Sequence, residues 1–256
     1  MTVLTSKDNP KVRHWAKLAS DARYRKAERR ALIEGPHLVG ALQASGAQAI
    51  AILVTEEALS GHEIRSLAGK APTVVSEAVF RSIVEADNPP GIAAEIAIPE
   101  AKPKMGADAV FLEGVQDPSN VGAIMRSAAA FGVGRVILDR HCADPWSPRA
   151  LRAGMGGHFG LGIGEADNLS LEIESFQGTV LCAMPSGGTA VRDAGLKGAL
   201  GWIFGAEGSG VSPATARLAK LRVSIPMAPG SESLNVAASA AICFYEAWVS
   251  RRAARS

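Results

Sequence analysis

The sequence has 256 residues, a length that suits one large domain or two of ordinary size. Apolar residues make up 47 % of the chain and charged residues 20 %, so it can bury a substantial core, and a disordered protein is excluded. No stretch comes near the ~18 uninterrupted apolar residues of a membrane span, and the first residues have no secretory character. Three widely spaced cysteines predict neither a disulfide framework nor a metal site. We therefore expect a cytoplasmic globular protein with no membrane segment and no metal.

The net charge of +2 hides an uneven distribution of charge. Residues 1–30 contain nine Lys and Arg against three Asp and Glu, and three more arginines lie at 251–255, whereas the residues between are mildly acidic. A basic segment can bind a polyanion by displacing its counterions, and its aromatic residues His14, Trp15 and Tyr24 could stack on bases. The alternative is a solvated helix face with Trp15 in the core. The charge pattern alone leaves both interpretations open.

The first hundred residues alternate helical and extended patterns. Apolar residues at helical spacing predict a helix over 10–28. The following segments predict strands at 31–33, 49–54, 73–75 and 92–98, and helices at 37–44, 62–68 and 77–84. Residues 99–106 combine two prolines, a glycine and charges without periodicity, which is typical of a linker. We predict one α/β domain over 1–98, a linker over 99–107 and a second domain over 108–256.

The second domain repeats the alternation with stronger signals. Strands are predicted at 109–112, 135–138, 179–183, 201–204 and 222–225, and helices at 121–131, 148–155, 213–218 and 234–249. Such alternation predicts a parallel sheet covered on both faces. In these sheets ligands bind beyond the carboxyl ends of the strands, so the loops that follow the strands should carry the chemistry.

Common nucleotide motifs are absent from the sequence. No Gly-Lys-Ser/Thr of a phosphate-binding loop occurs, and the glycines at 154–162 have neither the spacing nor the preceding strand of a dinucleotide fingerprint. A nucleotide-dependent oxidoreductase is therefore disfavoured.

Asn120 and Arg126 follow a predicted strand and a turn at Asp117 and Pro118. We expect a helix to begin near Asn120 or Val121, which places both side chains near its first turn at the ligand-bearing edge of the sheet. The alternative is that Asn120 is only a helix N-cap and Arg126 only a surface charge.

Two further loops combine glycines with polar side chains. The segment Gly205-Ala-Glu207-Gly208 follows a hydrophobic strand, and glycine there exposes backbone groups to a ligand. Glu207 could accept hydrogen bonds from a neighbouring loop or helix, or could cap the next helix. After the last strand, Ser233 is a natural N-cap for the final helix, with Asn235 one step inside it.

Together these segments, in order and at matching spacing over 109–250, resemble the three motifs of the SpoU (TrmH-type) branch of the SPOUT RNA methyltransferases. The matching residues are Asn120, Gly122 and Arg126 for the first motif, Gly205–Gly208 for the second, and Ile225–Met227 with Ser233–Val236 for the third. The segments 5–10 and 33–36 resemble the family's N-terminal L30e-like substrate-binding domain. Ser119 and Ala237 depart from the usual Gly and Ser, at positions without an assigned chemical role.

The resemblance implies the fold class and the reaction. The fold is α/β, an N-terminal L30e-like domain followed by a parallel-sheet α/β knot, in which the chain threads a deep trefoil. Small side chains after Ser233 fit such threading. The reaction is transfer of the methyl group of S-adenosylmethionine to a ribose 2′-hydroxyl of RNA, with no metal required.

The resemblance also implies roles for individual residues. Arg126 is the family's catalytic arginine, and Asn120, Glu207, Ser233 and Asn235 would orient it and the ribose. The cofactor would be held by Gly205, Ala206, Gly208, Ile225, Met227 and Leu234. RNA would be held by Lys7, Lys11, Arg13, Arg23, Arg25, Lys26 and Arg149. Because a guanidinium rarely gives up its proton, Arg126 fits the binding of a phosphate and of the developing alkoxide better than the role of a base.

The family acts as homodimers, with the arginine of one subunit reaching the cofactor site of the other. We expect ribosomal RNA as the substrate. The alternatives are transfer RNA as the substrate, and a non-catalytic L30e-type RNA-binding protein.

Overall fold

The computed structural model describes residues 2–86, 88–100 and 106–253. Contacts divide the chain into two compact units, of which the first comprises Met1–Ile98 with Asp144–Phe159 and the second comprises Pro99–Ala143 with Gly160–Ser256. The predicted division assigns 144–159 to the second domain, whereas its contacts place this segment in the first unit. Residues 101–105 of the predicted linker and Arg255 lie outside the described residues.

The first unit is a four-stranded mixed sheet with helices. Its elements are α1 (Pro10–Ser20), α2 (Ala22–Glu28), β1 (Arg30–Glu34), α3 (Pro36–Ala44), β2 (Ala51–Thr55), α4 (His62–Ala68), β3 (Thr73–Val75), α5 (Glu77–Ile83) and β4 (Ile92–Ala97). The strand order is β1-β4-β2-β3, with β4 antiparallel to both its neighbours and β3 parallel to β2. Apolar side chains of α1 and α5 pack with those of the strands in one core.

The single helix predicted over 10–28 is two helices. Asp21 has extended backbone angles, φ −121° and ψ 109°, and its carboxylate accepts a hydrogen bond from the Tyr24 backbone N–H. An aspartate in this geometry ends one helix and caps the next. Helical spacing alone does not register such a break.

Trp15 is 2 % exposed, so its predicted alternative role in the core is confirmed. Its indole Nε1 donates to the buried Glu95 carboxylate at 2.9 Å, and His14 and Arg30 also bind that carboxylate. Burial raises the pKa of Glu95, but the hydrogen bonds from Trp15, His14 and Arg30 outweigh it, and the net pKa lies below the usual value. The indole of Trp15 is therefore not available to stack on a base.

The second unit contains a seven-stranded parallel sheet. Its elements are β5 (Ala109–Glu113), α6 (Pro118–Ala130), β6 (Arg135–Asp139), β7 (Gly162–Ala166), α8 (Leu169–Glu174), β8 (Thr179–Met184), β9 (Thr189–Ala190), β10 (Leu200–Gly205), α9 (Pro213–Ala216), β11 (Leu221–Ser224) and α10 (Val236–Ala253); α7 (Pro148–Gly154) lies between β6 and β7 and belongs to the first unit. The strand order is β7-β6-β5-β10-β8-β11-β9, and every pair is parallel. The predicted parallel sheet is confirmed.

Helices cover both faces of this sheet. On one face Trp202 and Phe204 of β10 stack on each other, and Phe244 of α10 packs edge-on against both rings. On the other face Ile203 joins a core that includes Leu169 and Ile173 of α8. The sequence patterns missed β7, β9 and α8, because β7 contains two glycines in five residues and the other two elements are short. Among the helices described, none is long and apolar enough to span a bilayer.

Segment 144–159 is tied to the first unit by charge and by burial. Asp144 accepts a hydrogen bond from Arg25 Nε at 2.7 Å, and Arg152 Nη1 binds Glu34 at 3.2 Å. His158 is buried, and its Nε2 donates to the Pro145 carbonyl oxygen at 2.8 Å. Burial lowers the pKa of His158 from 6.5 to about 4, because a charged imidazole would lose its solvation there.

The lowered pKa of His158 predicts that the protein loses stability in mild acid. The unfolded chain takes up a proton below pH 6.5 and the folded chain does so only near pH 4, so the stability contributed by the neutral ring falls across that window. Between about pH 7.5 and about pH 5 we expect the free energy of unfolding to fall by about 2 kcal/mol more in the wild type than in His158→Gln. Urea unfolding of both proteins at both pH values measures this difference. Equal pH dependence of the two proteins would contradict the buried neutral state.

Candidate cofactor and catalytic site

A cavity of about 450 Å³ lies at the carboxyl ends of β8, β10 and β11. Its walls come from the loop after β10, the loop after β11 and the start of α10. The predicted cofactor and catalytic residues that line it are Gly205, Ala206, Glu207, Gly208, Ile225, Met227, Ser233, Leu234 and Asn235. The volume falls within the range of about 300–1,000 Å³ that is usual for small-molecule sites.

The glycine loop, residues 206–211, forms one wall of this cavity. It folds back on itself, with the Gly210 N–H donating to the Ala206 carbonyl oxygen at 2.9 Å. A Cβ on Gly205 would lie 2.2 Å from the backbone carbonyl of Gly210, so no larger residue fits at that strand end. The glycine is required because two backbone segments touch there.

Three side chains from three segments form one hydrogen-bonded line, which we call the polar line (Asn235, Asn120 and Glu207). Asn235 Nδ2 donates to Asn120 Oδ1 at 2.9 Å, and Asn120 Nδ2 donates to Glu207 Oε1 at 2.7 Å. Asn235 Oδ1 in turn accepts the backbone N–H groups of Ala237 and Ala238 at 2.8 and 3.2 Å. The structure thus brings together the first, second and third motifs of the sequence.

The structure corrects where two helices begin. α6 begins at Pro118, and its cap is Asp117, whose carboxylate accepts the Ser119 N–H at 2.8 Å. Asn120 is therefore not the cap but lies inside the first turn. At α10, Asn235 makes the capping bonds, so the prediction that Ser233 caps this helix is wrong. Ser233 is exposed at the cavity rim, and no hydrogen bond of its side chain occurs within the described residues.

Arg126 does not lie near the first turn of α6, as the sequence suggested, but in its ninth position. It is six residues beyond Asn120, which corresponds to about 9 Å along the helix axis. Its side chain is exposed and has no hydrogen bond or ion pair with any described residue. Among the predicted catalytic residues, Arg126 and the buried Asn120 are the two that do not line the cavity.

Sequence reasoning missed Glu113, the last residue of β5. Its carboxylate accepts hydrogen bonds from the backbone N–H of Ser212 at 2.7 Å, from Ser212 Oγ at 2.8 Å and from Thr215 Oγ1. Glu113 ends a strand and is followed by a glycine, but this pattern does not reveal its hydrogen-bond partners, which lie about a hundred residues away in the sequence.

Cys243 of α10 lines the cavity as a buried thiol. Burial raises its pKa to about 12, so the thiol stays protonated and acts as part of an apolar wall. Burial likewise raises the pKa of Cys182 to about 11. Cys142 is the third cysteine, and all three are free thiols.

The predicted RNA-binding residues differ in their surroundings. Arg25 is 4 % exposed and is held by Asp144 and by the carbonyl oxygens of Leu18 and Ala19, so the predicted RNA-binding role does not fit it. Arg13 is exposed and pairs with Asp8 at 2.7 Å. The other predicted residues, which are Lys7, Lys11, Arg23, Lys26 and Arg149, are exposed on the first unit. In the part of the chain that is described, no three His, Cys, Asp or Glu side chains are grouped as metal ligands.

Comparisons with known proteins agree with this geometry. A profile described as the SpoU rRNA Methylase family matches residues 108–245, and one described as the MRM3-like substrate binding domain matches residues 9–94. The chain belongs to the SpoU rRNA methylase family.

Relatives of the chain extend over its full length. 23S rRNA (guanosine(2553)-2′-O)-methyltransferase RlmP of Bacillus subtilis is 31 % identical over 251 residues, which cover 96 % of this chain and 98 % of that protein. A solved RNA 2′-O ribose methyltransferase is 29 % identical with a TM-score of 0.82, covering 98 % of this chain and 100 % of that one. An AdoMet-bound rRNA methyltransferase from Sinorhizobium meliloti is 25 % identical with a TM-score of 0.82, covering 98 % of each chain. These similarities confirm the predicted family, the α/β fold and the RNA methyltransferase class.

The corrected cap of α10 leads to a stability prediction. Asn235→Ala removes the cap and leaves the buried oxygen of Asn120 unpaired, so we expect the free energy of unfolding to fall by about 2 kcal/mol. Ser233→Ala should change it by less than about 0.5 kcal/mol. Urea unfolding of the two variants makes the comparison, and equal losses would return the capping role to Ser233.

Proposed function

We propose that this protein transfers the methyl group of S-adenosylmethionine to a ribose 2′-hydroxyl of ribosomal RNA. The observation that carries the proposal is the polar line beside the cavity, since it joins three motifs at the cavity that the predicted cofactor residues line. The family and its relatives favour ribosomal RNA over transfer RNA. A non-catalytic RNA-binding protein would have no need to keep three distant polar side chains in one hydrogen-bonded arrangement.

The cavity fits the methyl donor in size and in chemistry. Ile225, Met227 and Leu234 supply the apolar walls that suit an adenine ring, and the backbone groups of the glycine loop supply hydrogen bonds. When bound, S-adenosylmethionine supplies a methyl group that the sulfonium charge has already activated. The protein's task is therefore to orient the ribose hydroxyl in line and to help remove its proton. The polar line holds Glu207 at the cavity rim for that orientation.

Arg126 acts, in this proposal, at the site of the partner subunit in a homodimer. It lies about 9 Å along α6 from Asn120, is exposed, and does not line the cavity of its own subunit. A guanidinium that keeps its proton can bind an RNA phosphate and stabilise the alkoxide that develops on the ribose.

The aromatic face (Phe131, Tyr245, Trp248 and Val249) is the surface we assign to that homodimer. The rings of Phe131, Tyr245 and Trp248 lie 5.9–6.5 Å apart, and Tyr245, Trp248 and Val249 are 50, 37 and 36 % exposed. Such a patch of large apolar side chains marks an interaction surface. The aromatic face spans the end of α6, the helix that carries Arg126, and the side of α10, the helix that Asn235 of the polar line caps.

The proposal also covers the binding of RNA, the threading of the chain and the location of the protein in the cell. RNA is bound by the exposed basic residues of the first unit, which are Lys7, Lys11, Arg13, Arg23, Lys26 and Arg149. The C-terminal segment threads a trefoil knot, for which the small residues at 237–241 leave room. Three free thiols and a ribosomal substrate support a cytoplasmic location.

Methyl transfer to purified RNA tests the function. Wild-type protein with methyl-labelled S-adenosylmethionine should label unmodified 23S ribosomal RNA at a ribose 2′-oxygen and leave transfer RNA unlabelled. Arg126→Ala should bind S-adenosylmethionine with unchanged affinity but lose at least about a hundred-fold in methyl transfer, because it removes charge stabilisation in the transition state. Calorimetry measures the first quantity and incorporation of label the second.

Arg126→Lys is the matched control, since it keeps the charge and loses the planar guanidinium; partial activity is expected. Label on a base, label only on transfer RNA, or absence of cofactor binding by the wild type would each contradict the proposal. Unchanged turnover of Arg126→Ala would remove Arg126 from the reaction.

The aromatic face predicts the oligomeric state. Trp248→Glu removes a large apolar ring from the face and places a charge there, and it should convert the dimer to a monomer. Burying a carboxylate in an apolar interface is costly even with Arg252, which lies over the Trp248 ring, beside it. Leu171→Glu is the matched control, since Leu171 of α8 is 61 % exposed and lies outside the aromatic face; it should remain dimeric. Sedimentation velocity distinguishes the two. A monomeric wild type, or a dimeric Trp248→Glu, would contradict this assignment.

A further inference from the structure

Glu113 lies at the end of β5, directly opposite the end of β10. The two strands are parallel neighbours, and their register pairs Glu113 with Gly205. Its half-buried carboxylate binds three donors, which are the backbone N–H and the hydroxyl of Ser212 and the hydroxyl of Thr215. A carboxylate that accepts three hydrogen bonds fixes its partners firmly, because bonds to a charged acceptor are among the stronger ones.

The glycine loop is therefore fastened at both ends. At its start, Gly205 packs on the backbone of Gly210 and Val211 so closely that a Cβ would lie within 2.3 Å of both. At its exit, Ser212 is held by Glu113. Between these points the loop contains Gly208 and Gly210, which have wide conformational freedom when they are not held.

We propose that Glu113 is a positioning residue that holds the glycine loop in the conformation that binds the methyl donor. This inference depends on the proposed function, because it assigns the cavity to S-adenosylmethionine. Glu113 does not line the cavity and so acts through the loop. A loop held in its bound conformation has less conformational entropy to lose when the ligand binds, and the affinity rises accordingly.

A purely structural role for Glu113 leads to a different expectation. Ser212 already caps the short helix α9, since its hydroxyl accepts the Thr215 N–H at 3.2 Å. If Glu113 only supported that cap, its loss would lower the thermal stability and leave the affinity for the methyl donor unchanged. If Glu113 positions the loop, its loss lowers the affinity for the methyl donor by more than the accompanying loss of thermal stability accounts for.

Calorimetry with S-adenosylmethionine alone makes this distinction. Glu113→Gln replaces the carboxylate that accepts hydrogen bonds from Ser212 and Thr215 with a neutral amide. We expect the Kd for S-adenosylmethionine to rise about ten-fold. The Kd for 23S ribosomal RNA should change by less than about two-fold, and the KM for S-adenosylmethionine should rise by a larger factor than kcat falls. Glu174→Gln, an exposed carboxylate of α8, removes the same charge from the same unit and should bind as the wild type does.

The outcomes separate this proposal from the proposed function. If the wild type binds S-adenosylmethionine and Glu113→Gln binds it equally well, the positioning role is wrong and the function stands. If the wild type does not bind it, the function itself fails. Should Glu113→Gln not fold, as judged by circular dichroism, Thr215→Val removes one donor at nearly constant shape. That variant should raise the Kd about three-fold, and an unchanged Kd would then overturn the proposal.

Discussion

The site depends on the two hydrogen bonds that the side-chain amide of Asn120 makes. Its partners, Asn235 and Glu207, together determine the orientation of that amide. Asn235 uses its oxygen to cap α10, so only its N–H₂ group is left to face Asn120. Asn120 therefore accepts this hydrogen bond with its oxygen, which leaves its own N–H₂ group to donate to Glu207. An ionised carboxylate can only accept. No member of the line can be reversed without placing two acceptors or two donors together. The cap of a helix thereby fixes the direction in which a carboxylate on another loop is held.

The order of strands explains why these three loops meet. β10 enters the sheet between β5 and β8, although four strands lie between β5 and β10 in the sequence. At this change of direction the loops after β5 and β10 lie side by side, and β11 lies two strands beyond β10, on the other side of β8. Parallel sheets bind ligands at such points because the adjacent loops diverge and leave a crevice. The glycines at the end of β10 then let the backbone itself form the wall of that crevice.

Much of the fold and of the site could be predicted from the sequence, and the errors have local physical causes. Long apolar periodicities located α6 and α10, whereas β7, with its two glycines, carries little strand signal. The motif residues at Asn120, Glu207 and Asn235 were found because each is a polar residue in a loop or helix start that follows a strand, and because together they match the three motifs of the family. Their mutual contacts, the role of Glu113 and the burial of Arg25 were not predictable, since each depends on a partner about a hundred residues away. The helix starts were misplaced by two or three residues, because several polar residues in each segment could serve as the cap.

The two halves of the site differ in how far one chain completes them. The glycine loop and the polar line beside the cavity are held by hydrogen bonds within the second unit, so the part of the site proposed for the methyl donor is preorganised. Arg126, which lies six residues beyond Asn120 in α6, is exposed and has no hydrogen bond or ion pair with any described residue. An exposed cation keeps its hydration shell, so Arg126 has no desolvation cost in the free chain. In the proposed reaction, one chain supplies the cavity for the methyl donor, and a second copy of the chain would bring its Arg126 to that cavity.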